Sequence, residues 1–486
     1  MRRGPCYLPA LVLALGSLPP ASTGAAAAAP APGPGTLPEA VRRAVERQNQ
    51  FARTLLRAAS DASPRENGAV APLAVAEVLD LLREAAAAAT AEELTAALGP
   101  PGARAPLRDV DPSRPIVRPR LSATLANNDG YGVKVIGLPD DSPEARAGLR
   151  AGDLILGFQG RPVRSRARLD EAAGKAEPGL PVAIQVYSYE PGTIRDLKVI
   201  LANETDSMPG LSAMRALWVQ SGSPLPQAFR ASAREAHGLP LREVDFRERT
   251  DDARQAIDAW LSQGARIAAV DPPDISADTR LLFVDRLALH AAWQRPFPAA
   301  SPGEFRTIDG AKVAALLMRQ EGLFPLVERE RYRMLDLPLH DGRYSFAIVL
   351  PDAPDGPLPE ATELATAIAA SRATLVDVVL PRFTLEASRR LDADLAAMGV
   401  RRAFSDDAEF PGLGPGGPWK LGAIRQAIRL DVEEAGVKAE AVTTAAGVTI
   451  RGDRPEPKAF HADRPFYFLV VDRPTGLILL AGRKVR

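Results

Sequence analysis

Few side chains in this sequence have the chemistry needed for covalent catalysis or metal binding. The chain has a single cysteine and four histidines, namely Cys6, His237, His290, His340 and His461. It has no Gly-x-Ser-x-Gly or Gly-Asn-Ser-Gly-Gly motif, so no serine stands in a familiar nucleophile motif of the hydrolases. No two histidines stand at helical spacing, so no helix offers a pair of imidazole ligands. The sequence therefore predicts no enzyme, no metal site and no cofactor.

One segment has an unusual composition. It covers residues 431–457 and reads DVEEAGVKAEAVTTAAGVTIRGDRPEP. It has no aromatic residue and few large aliphatic residues, so it is a poor candidate for a core element. Its residue types nevertheless alternate like those of a β-strand, which a plain linker would not need. The segment stands directly before the last strongly apolar part of the chain.

Composition indicates a soluble globular protein with a substantial core. The chain has 486 residues, of which 46% are hydrophobic and 25% are charged. Sixty basic and sixty acidic residues cancel, so no general field directs the protein toward nucleic acid. We expect no nucleic-acid partner and a monomer.

The N-terminus has the layout of a cleaved export signal. Arg2 and Arg3 precede an apolar run from Leu8 to Leu18, which is too short to span a bilayer, and small residues follow. We expect a signal peptide over residues 1–24 and a disordered Ala/Pro/Gly-rich leader over 25–38. An uncleaved membrane anchor is the alternative. After cleavage the protein would be secreted or periplasmic, with neither thiol nor integral membrane segment.

The rest of the chain divides into three parts by its pattern. Residues 39–100 place apolar side chains at helical spacing, with Thr90 and Glu93 forming a capping-box signal for one helix start. Residues 115–204 read as short strands and turns that form a small domain of their own. From residue 207 to 486, helices alternate with strands such as YSFAIVLP and LVDVVLPRFTL. A mixed α+β domain is thus interrupted by an inserted one.

The two outer parts resemble the serpins through several blocks spread over about 370 residues. The end of the chain, FHADRPFYFLVVDRPTGLILLAGRKV, is similar to the C-terminal signature of that family. The segment DTRLLFVDRLALHAAWQRPF is similar to the strand and breach segment, and it contains Trp293. NGAVAPLAVAEVLDLL, REVDFRERTDDARQAIDAWLSQ and LPRFTLEASRRLDADLAAMGV match further serpin blocks. The resemblance implies helices around a large mixed central sheet, with further sheets and an exposed reactive-centre loop.

The insert resembles a PDZ domain, a small α/β partly open barrel, and its most specific block is SPEARAGLRAGDLILGFQGRPV. The resemblance implies that a peptide C-terminus binds in a loop of main-chain N–H groups while the peptide adds a strand to the sheet edge. We assign this carboxylate-binding loop to Gly130, Tyr131, Gly132 and Val133.

The serpin resemblance makes residues 434–456 the reactive-centre loop. A protease cleaves such a loop, and the cut loop then inserts as a new strand into the central sheet. The hinge residues in this sequence are Glu434, Gly436, Val437, Ala439 and Ala441. With Gly436 as the hinge glycine, the inward side chains Val437, Ala439, Ala441, Thr443 and Ala445 are all compact and uncharged, as insertion requires.

The register of the loop has an alternative. Counting forward from Arg425, which stands where the family has its shutter histidine, makes Glu433 the first hinge residue. That register turns Lys438 and Glu440 inward, and their charges would block insertion.

The cleaved bond also has more than one candidate. Counting back from Phe460 points to Arg451–Gly452, whereas counting forward from Gly436 points to Ile450, and shorter loops would favour Arg454. Arg451 predicts a trypsin-like target protease because the specificity pocket of trypsin carries a carboxylate. Ile450 predicts an elastase-like target. We favour Arg451.

Two departures from the family pattern lie in the centre of the sheet. Asp285 stands where serpins usually have asparagine, and Arg425 stands where they have histidine. Because the two changes are complementary, we expect an Arg425–Asp285 ion pair.

The resemblances together imply an inhibitor of serine proteases whose PDZ insert binds the C-terminus of a peptide or protein, for localisation or regulation. The alternative is a serpin-fold scaffold that binds partners through the insert and does not inhibit. A third hypothesis is a protease, but the sequence has no nucleophile motif to support it.

Overall fold

The computed structural model describes most of the chain after the N-terminal leader. The described residues are 37–109, 116–128, 130–139, 142–174, 176, 181–206, 211–262, 275–289, 291–340, 342–415, 418–437 and 456–486. Among these residues, no helix is both long and apolar enough to cross a membrane. The predicted signal peptide and the predicted leader up to residue 36 lie outside the described residues.

The described residues form helices of very different lengths. In chain order they are α1 (Glu39–Ala62), α2 (Pro72–Ala85), α3 (Ala88–Leu98), α4 (Pro143–Arg146), α5 (Arg166–Gly174), α6 (Gln227–Ala231), α7 (Thr250–Leu261), α8 (Ala361–Ala370) and α9 (Asp392–Ala397). The first and longest, α1, turns an apolar stripe that includes Phe51, Leu55 and Leu56 toward the core. Buried residues cover nearly all of α2, so this helix lies inside the domain.

The strands up to the end of the insert are short. They are β1 (Gly68–Val70), β2 (Ile116–Arg120), β3 (Thr124–Asn127), β4 (Val133–Gly137), β5 (Leu154–Phe158), β6 (Arg161–Pro162), β7 (Pro181–Ser188), β8 (Thr193–Ile200) and β9 (Ala202–Asp206).

The strands after the insert are longer on average. They are β10 (Leu211–Gln220), β11 (Leu241–Val244), β12 (Leu281–Leu289), β13 (Ala291–Ala292), β14 (Ser301–Arg306), β15 (Lys312–Glu328), β16 (Tyr332–Pro338), β17 (Tyr344–Pro351), β18 (Arg372–Pro381), β19 (Phe383–Arg390), β20 (Ala423–Glu433), β21 (Gly436–Val437), β22 (Lys458–His461), β23 (Phe466–Asp472) and β24 (Leu477–Lys484).

A seven-stranded sheet, called the central sheet below, has the order β11-β10-β12-β20-β21-β13, with β19 paired to the other edge of β20. Its two middle strands, β12 and β20, are parallel and pair directly from Leu282–Ala423 to Leu289–Leu430. All nine residues of β12 are buried because both of its faces are covered. Phe283 and Leu287 belong to the two large apolar clusters between this sheet and its neighbours, which we call the main core. Leu282 and Val284 face the other way and pack against α7.

A nine-stranded sheet packs behind the central sheet. Its order is β1-β24-β23-β17-β16-β15-β18-β22, with β14 paired to β15. Two large apolar clusters, drawn from α1, α2 and both sheets, fill the space between these elements. The last two strands, β23 and β24, form an antiparallel hairpin.

The insert folds around a core of its own. Its sheet has the order β3-β4-β5-β7-β8, with β6 paired to β5. The apolar cluster beneath it contains only residues between 121 and 201, such as Val133, Ile155 and Ile184. The chain enters through β2 and leaves through β9, and these two strands pair antiparallel as a two-stranded ribbon. The α+β fold class with an inserted small domain is therefore confirmed.

Candidate functional sites at the loop hinge and the insert groove

The start of the predicted reactive-centre loop folds back as a hairpin at one end of the central sheet. Glu434 and Ala435 form the turn between β20 and β21, and Val437 pairs with Val432. On its other side Val437 pairs with Ala291 of β13. The two residues of β21 therefore lie between β20 and β13 in the central sheet. They stand next to the end of the direct pairing of β12 with β20, at Leu289 and Leu430. We call β12 with its neighbours β10, β11 and β13 one half of the sheet, and β20 with β19 the other half.

Gly436 is required at this position because the chains approach closely. A Cβ atom added there would lie 2.4 Å from the carbonyl oxygen of Ala291 and 2.4 Å from the Cα atom of Ala292. Both neighbours are main-chain atoms, which cannot rotate away. A side chain at position 436 would push β21 out of the sheet.

Trp293 holds the hairpin from the side of β13. Its side chain is buried, and its indole Nε1 donates a hydrogen bond of 2.8 Å to the carbonyl oxygen of Glu433. The main-chain N–H of Phe297 donates to the carbonyl oxygen of Glu434, also at 2.8 Å. The ring of Trp293 packs edge-on against Phe297 and Phe346, which fixes the direction of its N–H.

Arg382 adds charge to the hinge, and the sequence pattern did not reveal it. Its guanidinium lies 3.7 Å from a carboxylate oxygen of Glu433 and 3.7 Å from one of Glu434. The Glu434 carboxylate also accepts a hydrogen bond of 3.2 Å from the main-chain N–H of Ala300. These contacts are partly exposed, so they position the turn more than they stabilise the fold.

The expected Arg425–Asp285 ion pair is wrong, because the two side chains face opposite sides of the central sheet. In the parallel pairing of β12 with β20, Asp285 stands beside Gln426, and Arg425 stands beside Val284. Arg425 donates instead to the hydroxyl of Ser388 at 2.9 Å.

Gln426 is a polar partner of Asp285, and its residue type and spacing gave no sign of this contact. Its Nε2 donates to Asp285 Oδ2 at 2.8 Å and to the carbonyl oxygen of Ala71 at 2.9 Å. Its Oε1 accepts from the main-chain N–H of Ala71 at 2.7 Å. Asp285 and Gln426 are each 2% exposed, so this network bridges β12, β20 and the start of α2 inside the core.

The remaining predicted loop residues lie outside the described residues. These are Ala439, Ala441, Ile450, Arg451, Gly452 and Arg454.

The predicted carboxylate-binding loop, Gly130 to Val133, is corrected by the pairing of the insert strands. This segment forms the turn between β3 and β4 and enters β4 at Val133. β4 pairs with β3 on one side and with β5 on the other, so no peptide strand could add beside it. A Cβ atom on Gly132 would lie 2.6 Å from the carbonyl oxygen of Ile155, which explains the glycine by close packing.

The open edge of the insert sheet belongs to β3. Within the described strands, β3 pairs with β4 alone. The main-chain N–H of Val135 in β4 donates to Asp153, and its C=O accepts from Gly152. The main-chain groups of the neighbouring Lys134 therefore point to β3. By alternation, the main-chain groups of Leu125 and Asn127 point to the open edge. The helix α5 flanks this edge, and Arg166 at its start contacts Leu125 and Asn127. We call this space between β3 and α5 the insert groove.

An ionic cluster around the buried side chain of His237 joins α2 to the segment that follows α6. His237 Nδ1 is 3.0 Å from a carboxylate oxygen of Glu77, and its Nε2 is 2.9 Å from one of Glu84. Burial alone would lower the pKa of His237, but the hydrogen bonds and charges of the two carboxylates outweigh it and hold that pKa above its ordinary value. Arg104, on the turn that leads to the insert, lies 3.6 Å from Glu77.

Within the described ranges, no group of three or more His, Cys, Asp or Glu side chains could hold a metal ion. At the hinge, β21 lies between β20 and β13, and Trp293 donates a hydrogen bond to the hairpin. Next to it, β12 and β20 pair directly with each other.

Comparison with known proteins agrees with this fold. The family model for serpins (serine protease inhibitors) matches residues 192–486, and the model for PDZ domains matches residues 119–200. The chain therefore belongs to the serpin family and carries a PDZ domain. Serpins are generally protease inhibitors and not enzymes, although the family also has non-inhibitory members.

Three similar proteins illustrate this range. An uncharacterized serpin-like protein of Thermococcus kodakarensis is 31% identical over 286 residues, which are 56% of this chain and 66% of that protein. The leukocyte elastase inhibitor of Sus scrofa is 27% identical over 277 residues, which are 53% of this chain and 72% of that protein. The structure of uncleaved ovalbumin, a non-inhibitory serpin, matches with a TM-score of 0.63 and 18% identity, covering 91% of this chain and 99% of ovalbumin. That last likeness shows the fold alone.

Proposed function

We propose that this protein is a secreted inhibitor that traps a serine protease when the protease cleaves the loop at residues 434–456. The cut loop would continue β21 as a full strand between β12 and β20. The observation that supports the proposal most is the position of β21, since Gly436 and Val437 already pair with both halves of the central sheet.

The register of β21 supports the choice of Gly436 over the alternative register. Continued along the sheet, it brings residue 439 beside Leu289 and Leu430, and residue 441 beside Leu287 and Ile428. Those neighbours all face the main core. In the inserted state Ala439 and Ala441 would therefore point inward, where compact uncharged side chains are needed. The same register brings Thr443 beside Asp285 and Gln426, the buried polar pair of the sheet.

The charged residues of the loop suit the outer face in this register. Lys438 would stand beside Asp431, and Glu440 would stand beside Arg429. Opposite charges at directly paired positions stabilise neighbouring strands, whereas like charges destabilise them. The alternation of the loop thus matches the strand that it would join on both faces.

Insertion would supply both distance and free energy. A strand rises about 3.3 Å per residue, so about 15 inserted residues would carry the attached protease about 50 Å. Each new ladder hydrogen bond contributes about 1 kcal/mol net, so insertion would release more than about 10 kcal/mol. Distortion that removed one oxyanion-hole donor would slow deacylation by about 100- to 1000-fold. The inhibitor itself needs no catalytic group.

The target that we propose is a trypsin-like protease, with Arg451–Gly452 as the cleaved bond. Ile450 and Arg454 are the alternatives, and Ile450 would suit an elastase-like target. The test is to incubate the protein with trypsin or with elastase and to look for a covalent complex that survives SDS. We expect a complex with trypsin, together with a released C-terminal peptide whose mass places the cut after Arg451.

Cleavage without any complex, by either protease, would contradict inhibition. It would favour the second candidate function, a non-inhibitory scaffold. The observation that favours this second function is the open edge of β3 beside α5, at which we propose that an extended peptide adds as a strand. Its test is peptide binding to the intact protein, with Ala126→Pro as the control for a disturbed β3.

A further inference from the structure

The direction of β3 fixes where the end of a bound peptide must lie. A peptide that adds antiparallel to β3 runs with its C-terminus toward the beginning of that strand. Ser122 precedes β3 by two positions, so its main-chain N–H is a donor close in the chain to the end that the peptide C-terminus would reach. A terminal carboxylate in the groove would need such a donor.

That donor already has a carboxylate partner. Glu144 Oε1 accepts a hydrogen bond of 3.0 Å from the main-chain N–H of Ser122. Glu144 is fully buried, at 0% exposure, and it stands in the first turn of α4, which Ser142 caps. A carboxylate buried at position 144 costs free energy that its contacts must offset.

The other end of the groove is also occupied from within. Arg166 Nη1 donates to the carbonyl oxygen of Leu125 at 3.4 Å, and the main-chain N–H of Arg166 donates to Asn127 Oδ1 at 2.7 Å. The carbonyl of Leu125 is a group that an added strand would use. Two contacts of the groove, one for a carboxylate and one for a peptide N–H, are thus made by the chain itself.

We propose that Glu144 is an internal occupant of the carboxylate-binding position, so that the insert groove selects against free peptide C-termini. A second carboxylate at Ser122 would have to displace Glu144 or be repelled by it. The ligand class that fits is an extended peptide segment with no charge at this end, either because its chain continues or because its C-terminus is an amide. This inference rests on the proposed binding of a peptide strand at β3.

The test uses the full-length protein and fluorescein-labelled hexapeptides ending in Ala, Val, Leu, Ile or Phe, each made as the free acid and as the C-terminal amide. Fluorescence anisotropy gives the Kd values. For the wild-type protein we expect the best amide to bind at least about ten-fold more tightly than its acid. In Glu144→Ala we expect the acid to gain at least about ten-fold in affinity while the amide changes little.

Two further variants separate charge from folding. Glu144→Gln keeps an oxygen for the N–H of Ser122 without the charge, and we expect it to bind the acid more tightly than the wild type does. Glu190→Gln removes an exposed carboxylate from the turn between β7 and β8 and should leave all affinities unchanged. Melting curves show whether each variant is folded, and Glu144→Gln decides if Glu144→Ala is not.

Two outcomes would overturn the inference in different ways. If the wild type and both Glu144 variants bind the acids equally well, the groove binds peptides but Glu144 does not select among them. If no variant binds any acid or amide, the proposed peptide binding at β3 fails together with the inference.

Discussion

The indole N–H of Trp293 donates a hydrogen bond of 2.8 Å to the carbonyl oxygen of Glu433, the last residue of β20. This bond joins the end of β13 to the last residue before the hairpin turn. Lower in the same sheet, the side chain of Gln426 joins β20 to Asp285 of β12. The first contact holds the hairpin at the end of the central sheet, and the second joins the two strands that the proposed insertion would separate.

Removing the Trp293 hydrogen bond should loosen the hinge. In Trp293→Phe the ring still fills most of its site, but the carbonyl oxygen of Glu433 loses its donor. We expect the free energy of unfolding to fall by about 1–2 kcal/mol, as measured by urea unfolding followed by circular dichroism. Trp260→Phe, which alters a buried tryptophan within α7, is the control for ring size. If only the control is destabilised, the clamp assigned to Trp293 is wrong.

The loop register can be tested with two neighbouring substitutions. Ala441→Glu would place a charge on the core face of an inserted strand, whereas Val442→Glu would place it on the outer face, and neither creates a new trypsin site. With trypsin we expect Ala441→Glu to be cleaved as a substrate, with at least about a ten-fold drop in the yield of SDS-resistant complex. Val442→Glu should keep most of the complex. The reverse pattern would mean that the register starting at Glu433 is the correct one.

The side chain of Gln426 should contribute more to the free energy of unfolding than an exposed glutamine does. In Gln426→Ala the carboxylate of Asp285 and both main-chain groups of Ala71 lose a partner inside the core. We expect a loss of about 2–4 kcal/mol in the free energy of unfolding, measured by urea denaturation. Gln185→Ala, which removes an exposed glutamine bonded to Asp196, should change it by less than about 0.5 kcal/mol. Equal effects of the two substitutions would show that the buried network contributes nothing.

Stability should fall with rising pH because of His237. Its pKa is raised in the folded state above the ordinary value of about 6.5, since Glu77 and Glu84 outweigh the opposing effect of burial. A raised pKa means that the folded protein holds the proton more tightly than the unfolded chain. The stabilisation is therefore complete below the ordinary pKa and is lost as pH rises through the raised one.

The measurement is the free energy of unfolding in urea between pH 6 and pH 9, for the wild type and for His237→Gln. Over this range we expect the stability difference between the two proteins to shrink as pH rises. A difference that stays constant or grows would contradict the assigned charge of His237.

Local patterns predicted some strands of the outer domain. YSFAIVLP forms β17, and LVDVVLPRFTL forms the end of β18 and the start of β19. The capping-box prediction at Thr90 is wrong, because α3 begins at Ala88 and the Thr90 hydroxyl accepts from the N–H of Glu409. Glu93 likewise accepts from Arg401 and Arg402. Both side chains serve contacts from distant parts of the chain, which spacing alone cannot reveal.

The sites were harder to predict because they depend on which strands pair, in which register, and on which side of the sheet each side chain lies. Asp285 and Arg425 look complementary as residue types, but only the register of β12 with β20 shows that Gln426 is the neighbour. Similarly, glycines 130 and 132 fit a carboxylate loop by type, yet the open edge belongs to the preceding strand β3. The burial of Glu144 is visible only in the structure, because the SPEARAGL block shows a glutamate but not its surroundings.

The most direct test of the account compares melting temperatures before and after the loop is cut. The loop is nicked with a catalytic amount of a zinc metalloprotease such as thermolysin, which forms no acyl-enzyme that the protein could trap. The cut is mapped by mass spectrometry to residues 434–456, and both forms are melted in a calorimeter. If the severed loop becomes a strand between β12 and β20, the nicked form should melt at least about 10 °C higher than the intact form. A nicked form that melts at or below the temperature of the intact protein would contradict the insertion on which the proposed inhibition depends.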